Sequence, residues 1–267
     1  MSSQPLYRLS SWLLHQVLAI NTSGEGIHSP SLFYVVRMLC KDASSYYCWR
    51  EIEQRRQCML RAPKLLHVRD FGSVGRGQYV DRLVSDIART SLESPRVGQF
   101  FFRLLVYLGE QHQRALNIVE LGTNLGITTS YLALAHGRNR VQTFEGSEAL
   151  IEMAQLNWNK LDIHNIEVVE GNIDDTLYTH ARERVDFAFM DANHLYEPTW
   201  RYFDYLASLA HEKTIMAVDD IHSSPQMYEV WKQIQQDKRV TTTMDFFYFG
   251  LIFFDTHYMK RHYRLRL

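Results

Sequence analysis

At 267 residues, with 46% apolar and 22% charged residues, the chain is long enough to bury a core without disulfides or a structural metal. A net charge of −1 excludes a global basic field that would gather nucleic acid or an anionic membrane. The three cysteines, Cys40, Cys48 and Cys58, have no C-x-x-C spacing, so they read as reduced thiols of an intracellular, cytoplasmic protein.

Leu6, Leu9, Leu13, Val17 and Ile20 recur at helical spacing and predict an amphipathic helix. Ser10, Ser11, His15 and Gln16 interrupt it, so it is neither a signal peptide nor a membrane span, and no other stretch reaches spanning length. Its apolar face could serve a homodimer interface. After the turn-rich 21–26, His28-Ser29-Pro30 opens a second helical run over Leu32–Cys40, and Tyr46–Leu60 suits a third. The glycine-dense stretch from Asp70 to Gly77 lacks the Gly-Lys-Ser/Thr ending of a phosphate loop and reads as a flexible connector. Helices and loops are expected up to about residue 112, with residues 1–93 as a helical N-terminal extension that selects substrate or partner. Ser94-Pro95 then supplies an N-cap and first-turn proline, which opens a second domain over residues 94–267.

From Asn117 onward strand-like and helix-like runs alternate. Asn117–Leu121, Val141–Phe144, Ile166–Val169, Val185–Met190 and Thr214–Val218 are apolar runs too short to be helices. Between them lie helical stripes such as Leu150, Ala154, Trp158 and Leu161. This alternation predicts an α/β fold with a doubly wound, mostly parallel sheet. Val240–Phe247 and Phe249–Phe254 stand too close for a crossover helix, so the seven-stranded sheet is expected to end in an antiparallel hairpin. The alternating Tyr263, Leu265 and Leu267 read as a further short, half-buried strand. Phe246, Phe247, Tyr248 and Phe249 read as sheet-packing aromatics before a substrate box.

Ligands of such sheets bind at the carboxyl ends of the strands. The first strand runs into Glu120-Leu121-Gly122-Thr123-Asn124-Leu125-Gly126. Gly122 permits a tight turn, and Gly126 lets the next helix sit close with its free N–H groups toward an anion. The middle glycine of a dinucleotide fingerprint is missing, since position 124 is Asn, so a smaller cofactor with a carboxylate fits better. A tight turn with no ligand is the competing interpretation. Glu145, ending the next strand, can accept hydrogen bonds from vicinal ribose hydroxyls, and Asn172 with Ile173 could hold an adenine edge and face.

These residues carry a resemblance. From about Ser94 to Phe254 the chain resembles the class I S-adenosylmethionine-dependent methyltransferases, and most of all the small-molecule O-methyltransferases of the catechol, caffeoyl-CoA and sugar kind. The resemblance implies that Glu120, Gly122 and Gly126 line the methionine part of S-adenosylmethionine, Glu145 binds the ribose and Asn172 with Ile173 the adenine. It implies further cofactor contacts at Thr123, Asn124, Gly146 and Asp191. Many members have Asp where this chain has Asn172, and an amide oxygen can still meet the adenine amino group. The N-terminal third is similar only to the helical leader of some bacterial members, through Gly26-Ile27-His28-Ser29-Pro30.

The fourth and fifth strands end in Met190-Asp191-Ala192-Asn193-His194 and Val218-Asp219-Asp220-Ile221-His222. Neighbouring strands lie about 4.8 Å apart, so Asp191, Asp219 and Asp220 would crowd unless one took a proton or a cation joined them. Mg²⁺ suits such oxygen ligands, and the metal-dependent O-methyltransferases place aspartates at matching positions. Alternatively, Asp191 binds only cofactor or substrate and the Asp pair caps a helix. His194 stands where catechol-type relatives carry a lysine base, with His222 as its rival. The expected function is therefore methyl transfer from S-adenosylmethionine to an oxygen of a small-molecule acceptor, with no nucleic-acid or membrane partner. A cofactor-binding module without catalysis and a nicotinamide oxidoreductase are the competing classes.

Overall fold

The computed structural model describes residues 4–20, 26–27, 29–41, 44–72 and 77–266. They gather into two compact units, one formed by Met1–Asp42 with Glu183–Leu267 and the other by Ala43–Arg182. The first unit begins with α1 (Gln4–Leu18) and α2 (Pro30–Tyr34), which a π-helical turn over Val35–Leu39 extends. Ser29 caps α2 and Pro30 occupies its first turn, as the Ser-Pro pair predicts; His28 lies outside the described residues.

The stripe of α1 faces opposite to the usual arrangement. Val17 is 78% and Leu6 73% exposed, whereas His15 is 1% exposed. The inner side is the polar one because its groups have partners within the same unit: Ser11 Oγ lies 3.0 Å from His222 Nδ1, and His15 Nε2 lies 2.9 Å from the Leu265 carbonyl.

The second unit opens with α3 (Tyr47–Arg61), a hairpin of β1 (Leu65–Asp70) and β2 (Gln78–Leu83), α4 (Val84–Ser91) and α5 (Pro95–His112). The hairpin replaces the expected helices and loops. Its register runs from Leu65 opposite Leu83 to Asp70 opposite Gln78, so the stretch read as a flexible connector includes the hairpin's turn; 73–76 fall outside the described residues. Leu66 and Val68 point inward and pack with Met59, Val84, Ile87, Leu125, Leu150 and Met153. Their period-2 burial identifies a strand, but only two inward residues carry it, too few to stand out in the sequence. Ser94 Oγ accepts the Val97 N–H to start α5, and Gln113 ends it in the left-handed conformation at φ 54°.

The unit continues through β3 (Asn117–Leu121), α6 (Ile127–Leu134), β4 (Arg140–Glu145), α7 (Glu148–Lys160), β5 (Ile166–Glu170) and α8 (Ile173–His180). β3, β4 and β5 pair in parallel, with Leu121 opposite Phe144 and Glu145 opposite Glu170. The predicted α7 stripe of Leu150, Ala154, Trp158 and Leu161 is buried throughout.

The first unit resumes with β6 (Phe187–Met190), α9 (Tyr196–Ser208), β7 (Ile215–Asp219), α10 (Pro225–Gln236), β8 (Thr242–Asp245), β9 (Phe249–Phe253) and β10 (Arg261–Arg264). Its strands run in the order β10-β8-β9-β7-β6. β6 and β7 are parallel, and β9 is antiparallel to both β7 and β8. The fold class is thus the expected α/β one, mostly parallel and closed by an antiparallel hairpin. The tail adds an eighth strand to the expected seven, because β10 pairs in parallel with β8, Arg261 opposite Thr242. Among the described residues no helix is long and apolar enough to cross a membrane.

Candidate functional site

In the second unit the turn after β3 is built from backbone as much as from side chains. Gly122 has φ 98°, Asn124 52° and Gly126 72°, all in the left-handed region. Gly126 is fixed twice over. A Cβ there would stand 2.7 Å from Trp158 Nε1 and 2.8 Å from Ala154 Cβ, and its φ disfavours any side chain. Trp158 Nε1 donates to the Gly126 carbonyl at 2.9 Å, and Asn157 Nδ2 donates to the Leu125 carbonyl at 2.8 Å. Arg55 holds Asn157 Oδ1 at 3.0 and 3.2 Å, and Asn124 Nδ2 reaches the Ser91 carbonyl at 3.0 Å. These supports come from α7 and the N-terminal helices; nothing in their sequence spacing marks them as partners of the loop.

Glu120 is fully buried, and its Oε2 accepts hydroxyl protons from Thr129 at 2.6 Å and Thr143 at 2.7 Å. Thr123, also buried, lies 2.6 Å from Thr143 through their hydroxyl oxygens. Glu120 and Thr123 therefore brace the turn from beneath.

Glu145 faces the turn from the end of β4. Its Oε2 accepts the Asn124 N–H at 2.9 Å and its Oε1 the Ser147 N–H at 3.0 Å. These two bonds orient the carboxylate at the mouth of the turn. Beside it, a Cβ on Gly146 would come within 2.2 Å of the Phe71 ring from the hairpin turn. Arg69 stacks over that ring at 4.7 Å, and its N–H donates to Ser147 Oγ at 3.1 Å. Asn172 caps α8, its side-chain oxygen accepting the Asp174 N–H at 3.2 Å, and Ile173 begins that helix half-buried. Glycines 122 and 126, Asn124, Glu145 and Gly146 thus form one cradle. Its chemistry, a bent backbone beside an oriented carboxylate, suits the ribose and carboxylate of S-adenosylmethionine.

In the first unit the ends of β6 and β7 hold the second set. Asp191, His194 and Asp219 each place a ligand atom within 4.8 Å of the others, and His194 Nε2 lies 3.3 Å from Asp191 Oδ1. Burial pushes the Asp191 carboxyl above its ordinary range and the charge of Asp220 adds to this, while the His194 imidazole and a hydrogen bond with Asp219 pull it back. The chain after β6 is bent sharply, with Asn193 at φ 68° and His194 at φ 43°. Non-glycine residues adopt this region at a cost, typically where a side chain must be aimed.

Asp220, at φ 54°, lies 3.3 Å from the Arg8 guanidinium through its Oδ1. The cluster thus joins Asp191 and Asp219 with an imidazole, and Asp220 stands as its charged neighbour. The two carboxylates fit a divalent cation that prefers oxygen ligands, with the imidazole beside it. His222 is buried, with both ring nitrogens engaged, by Ser11 and by Asp245 Oδ2 at 2.8 Å.

The family model described as a methyltransferase domain matches residues 119–221. A search of curated proteins by sequence finds no match. Among solved structures, the chain is similar to cofactor-bound Rv0187 from MTB, with 18% identity, a TM-score of 0.59, and coverage of 83% of this chain and 96% of that one. It is similar to the O-methyltransferase of Bacillus cereus in complex with SAH, with 20% identity, a TM-score of 0.55 and coverage of 81% and 94%. It is also similar to the O-methyltransferase TomG of Streptomyces achromogenes in complex with SAM, with 16% identity, a TM-score of 0.54 and coverage of 96% and 100%. Residues 119–221 thus match a methyltransferase-domain model, and the chain has the fold of the methyltransferases it is similar to, an α/β fold with a mostly parallel sheet closed by an antiparallel hairpin.

Proposed function

We propose that this protein transfers the methyl group of S-adenosylmethionine to an oxygen of a small hydroxylated acceptor. The observation that carries the reading is Glu145, a strand-end carboxylate oriented by the Asn124 and Ser147 N–H groups beside the Gly122–Gly126 turn. The O-methyltransferase neighbours and the methyltransferase-domain match support the same chemistry. S-Adenosylmethionine supplies an electrophilic methyl group on sulfonium sulfur. This chain's part is to bind it through Glu145 and the turn, and to bring forward an acceptor oxygen with its proton removed.

Asp191, His194 and Asp219 are assigned to the acceptor. His194 is the base: it takes the hydroxyl proton at Nε2, and Asp191 Oδ1 at 3.3 Å stabilises the resulting imidazolium. Asp191 and Asp219, with Asp220 beside them, would hold a divalent cation, which when bound lowers the pKa of an acceptor hydroxyl. Acceptor selection is assigned to residues 1–93. The outward apolar stripe of α1, with Leu6, Leu9, Leu13 and Val17 exposed, is assigned to a second copy of this chain.

The testing experiment titrates the purified protein calorimetrically with S-adenosylmethionine and with NAD, each with Mg²⁺ and with chelator, and then screens hydroxylated acceptors. Micromolar S-adenosylmethionine binding without NAD binding is the expected result, and NAD binding alone overturns the reading. For the second copy, light scattering of the wild type and of Leu13→Glu is the check, with a monomeric wild type removing that assignment.

A further inference from the structure

A second cluster of metal-ligating side chains lies in the first unit, apart from the one assigned to the acceptor. His15 on α1, His222 in the turn after β7 and Asp245 at the end of β8 each offer a ligand atom within 4.8 Å of the others, and all three are buried. His222 Nε2 is 2.8 Å from Asp245 Oδ2, and His15 Nδ1 is 3.4 Å from Asp245 Oδ1. One imidazole thus faces each oxygen of the same carboxylate.

The protons make this arrangement informative. The Leu265 carbonyl can only accept, so His15 Nε2, 2.9 Å away, must carry the hydrogen. In the neutral ring Nδ1 is then a bare lone pair. It is buried without a hydrogen-bond partner and faces a carboxylate oxygen, another acceptor, at 3.4 Å. Two acceptors that face each other in the interior need a cation between them. Arg264 Nε stands 3.7 Å from Asp245 Oδ2, so it offsets the carboxylate's charge on the side away from His15.

The surroundings match what a metal site needs. The outer nitrogens of both imidazoles are engaged, by the Leu265 carbonyl and by Ser11 Oγ, as metal-bound histidines require for orientation. The Phe247 N–H donates to Asp245 Oδ1 at 2.9 Å from a backbone held at φ 74°, an uncommon conformation for an aromatic residue. The Phe247 ring stacks on His222 at 4.9 Å, and Tyr228 stacks on His222 at the same separation. Ligand atoms around one zinc ion stand roughly 3.3–3.6 Å apart, given bonds of about 2.0–2.2 Å. The pair at 2.8 Å would open by about half an ångström, and the pair at 3.4 Å already fits.

We propose that His15 Nδ1, His222 Nε2 and the Asp245 carboxylate form a zinc-class divalent metal site that clasps α1 to the turn after β7 and the end of β8. The ion displaces no proton from His15 Nδ1, because that nitrogen already presents its lone pair; the proton that His222 Nε2 shares with Asp245 leaves to solvent and His222 takes the other tautomer, with Nδ1–H donating to Ser11 Oγ, and water completes the coordination. The site is distinct from the Asp191, His194 and Asp219 cluster.

The test uses the full chain, stripped with chelator and titrated with Zn²⁺ against a chromophoric competitor. The wild type, Asp219→Asn, His15→Gln and His222→Gln are compared. Tight Zn²⁺ binding that persists in Asp219→Asn is expected, weakened at least tenfold in each histidine variant. Imidazole ¹⁵N spectra of the wild type need no variant, and His15 Nδ1 and His222 Nε2 should shift on Zn²⁺ addition. Absence of a tight ion, binding unchanged in both histidine variants, or imidazole spectra indifferent to Zn²⁺ would each overturn the proposal.

Discussion

The two units each hold carboxylates at the ends of parallel strands, and they treat them in opposite ways. In the unit of residues 43–182, Glu120 is buried on threonine hydroxyls and Glu145 is oriented by backbone N–H groups, each within 3.0 Å. These donors are neutral hydroxyls and backbone N–H groups, whose dipoles point at the carboxylate oxygens. In the other unit Asp191 and Asp219 stand together with an imidazole, and burial works against the charge on Asp191. Under the proposed function the first arrangement receives the cofactor and the second, with charge and proton in tension, handles the acceptor's proton. A carboxylate at a strand end thus says little until its donors are known.

Four substitutions probe this difference. His194→Gln should lower kcat by roughly 10²–10⁴-fold, the usual contribution of a positioned base, while calorimetry finds S-adenosylmethionine affinity unchanged. An equal loss of affinity would erase the division of labour. Glu145→Ala should weaken S-adenosylmethionine binding by about 10–100-fold, or about 1.4–2.8 kcal/mol, with the turnover at saturating cofactor less affected than in His194→Gln. Gly126→Ala should destabilise the fold by about 1–3 kcal/mol, from its left-handed φ and the approach to Trp158; a denaturant midpoint equal to the wild type would show the loop to be adaptable. Thr143→Val removes one of two hydroxyl donors to buried Glu120 Oε2. It should cost about 1 kcal/mol, with full cofactor affinity retained once the protein is folded, and thermal unfolding with calorimetry reports both.

The sequence made the cradle legible because its essentials are local. Glycines at 122 and 126 and a carboxylate at 145 fall at strand ends that hydrophobic runs announce. What underpins the cradle was not legible. Arg55, Asn157 and Trp158 reach it across long stretches of chain, and the hairpin carrying Phe71 hides its strand pattern in two inward residues, Leu66 and Val68. The acidic cluster was legible in part. Strand spacing foretold that Asp191 and Asp219 would crowd, but not that Asp220 would lie beside Arg8 while His194 joined the pair. α1 shows the limit of periodicity most plainly. Its apolar stripe is real, yet the side that packs is the polar one, because Ser11 and His15 find partners more than two hundred residues away.

That same separation shapes how the chain comes off the ribosome. Residues 43–182 form a compact unit from one continuous stretch, so this region can acquire its contacts as soon as it has emerged. α1 emerges earlier but bonds to His222, Arg264 and Leu265: Ile20 N–H donates to the Arg264 carbonyl at 2.9 Å, and His15 waits for Leu265. α1 is therefore made well before its partners and seated only with them. Throughout synthesis Ser11 and His15 wait without their partners, and even once α1 is seated Leu6, Leu9, Leu13 and Val17 still face outward.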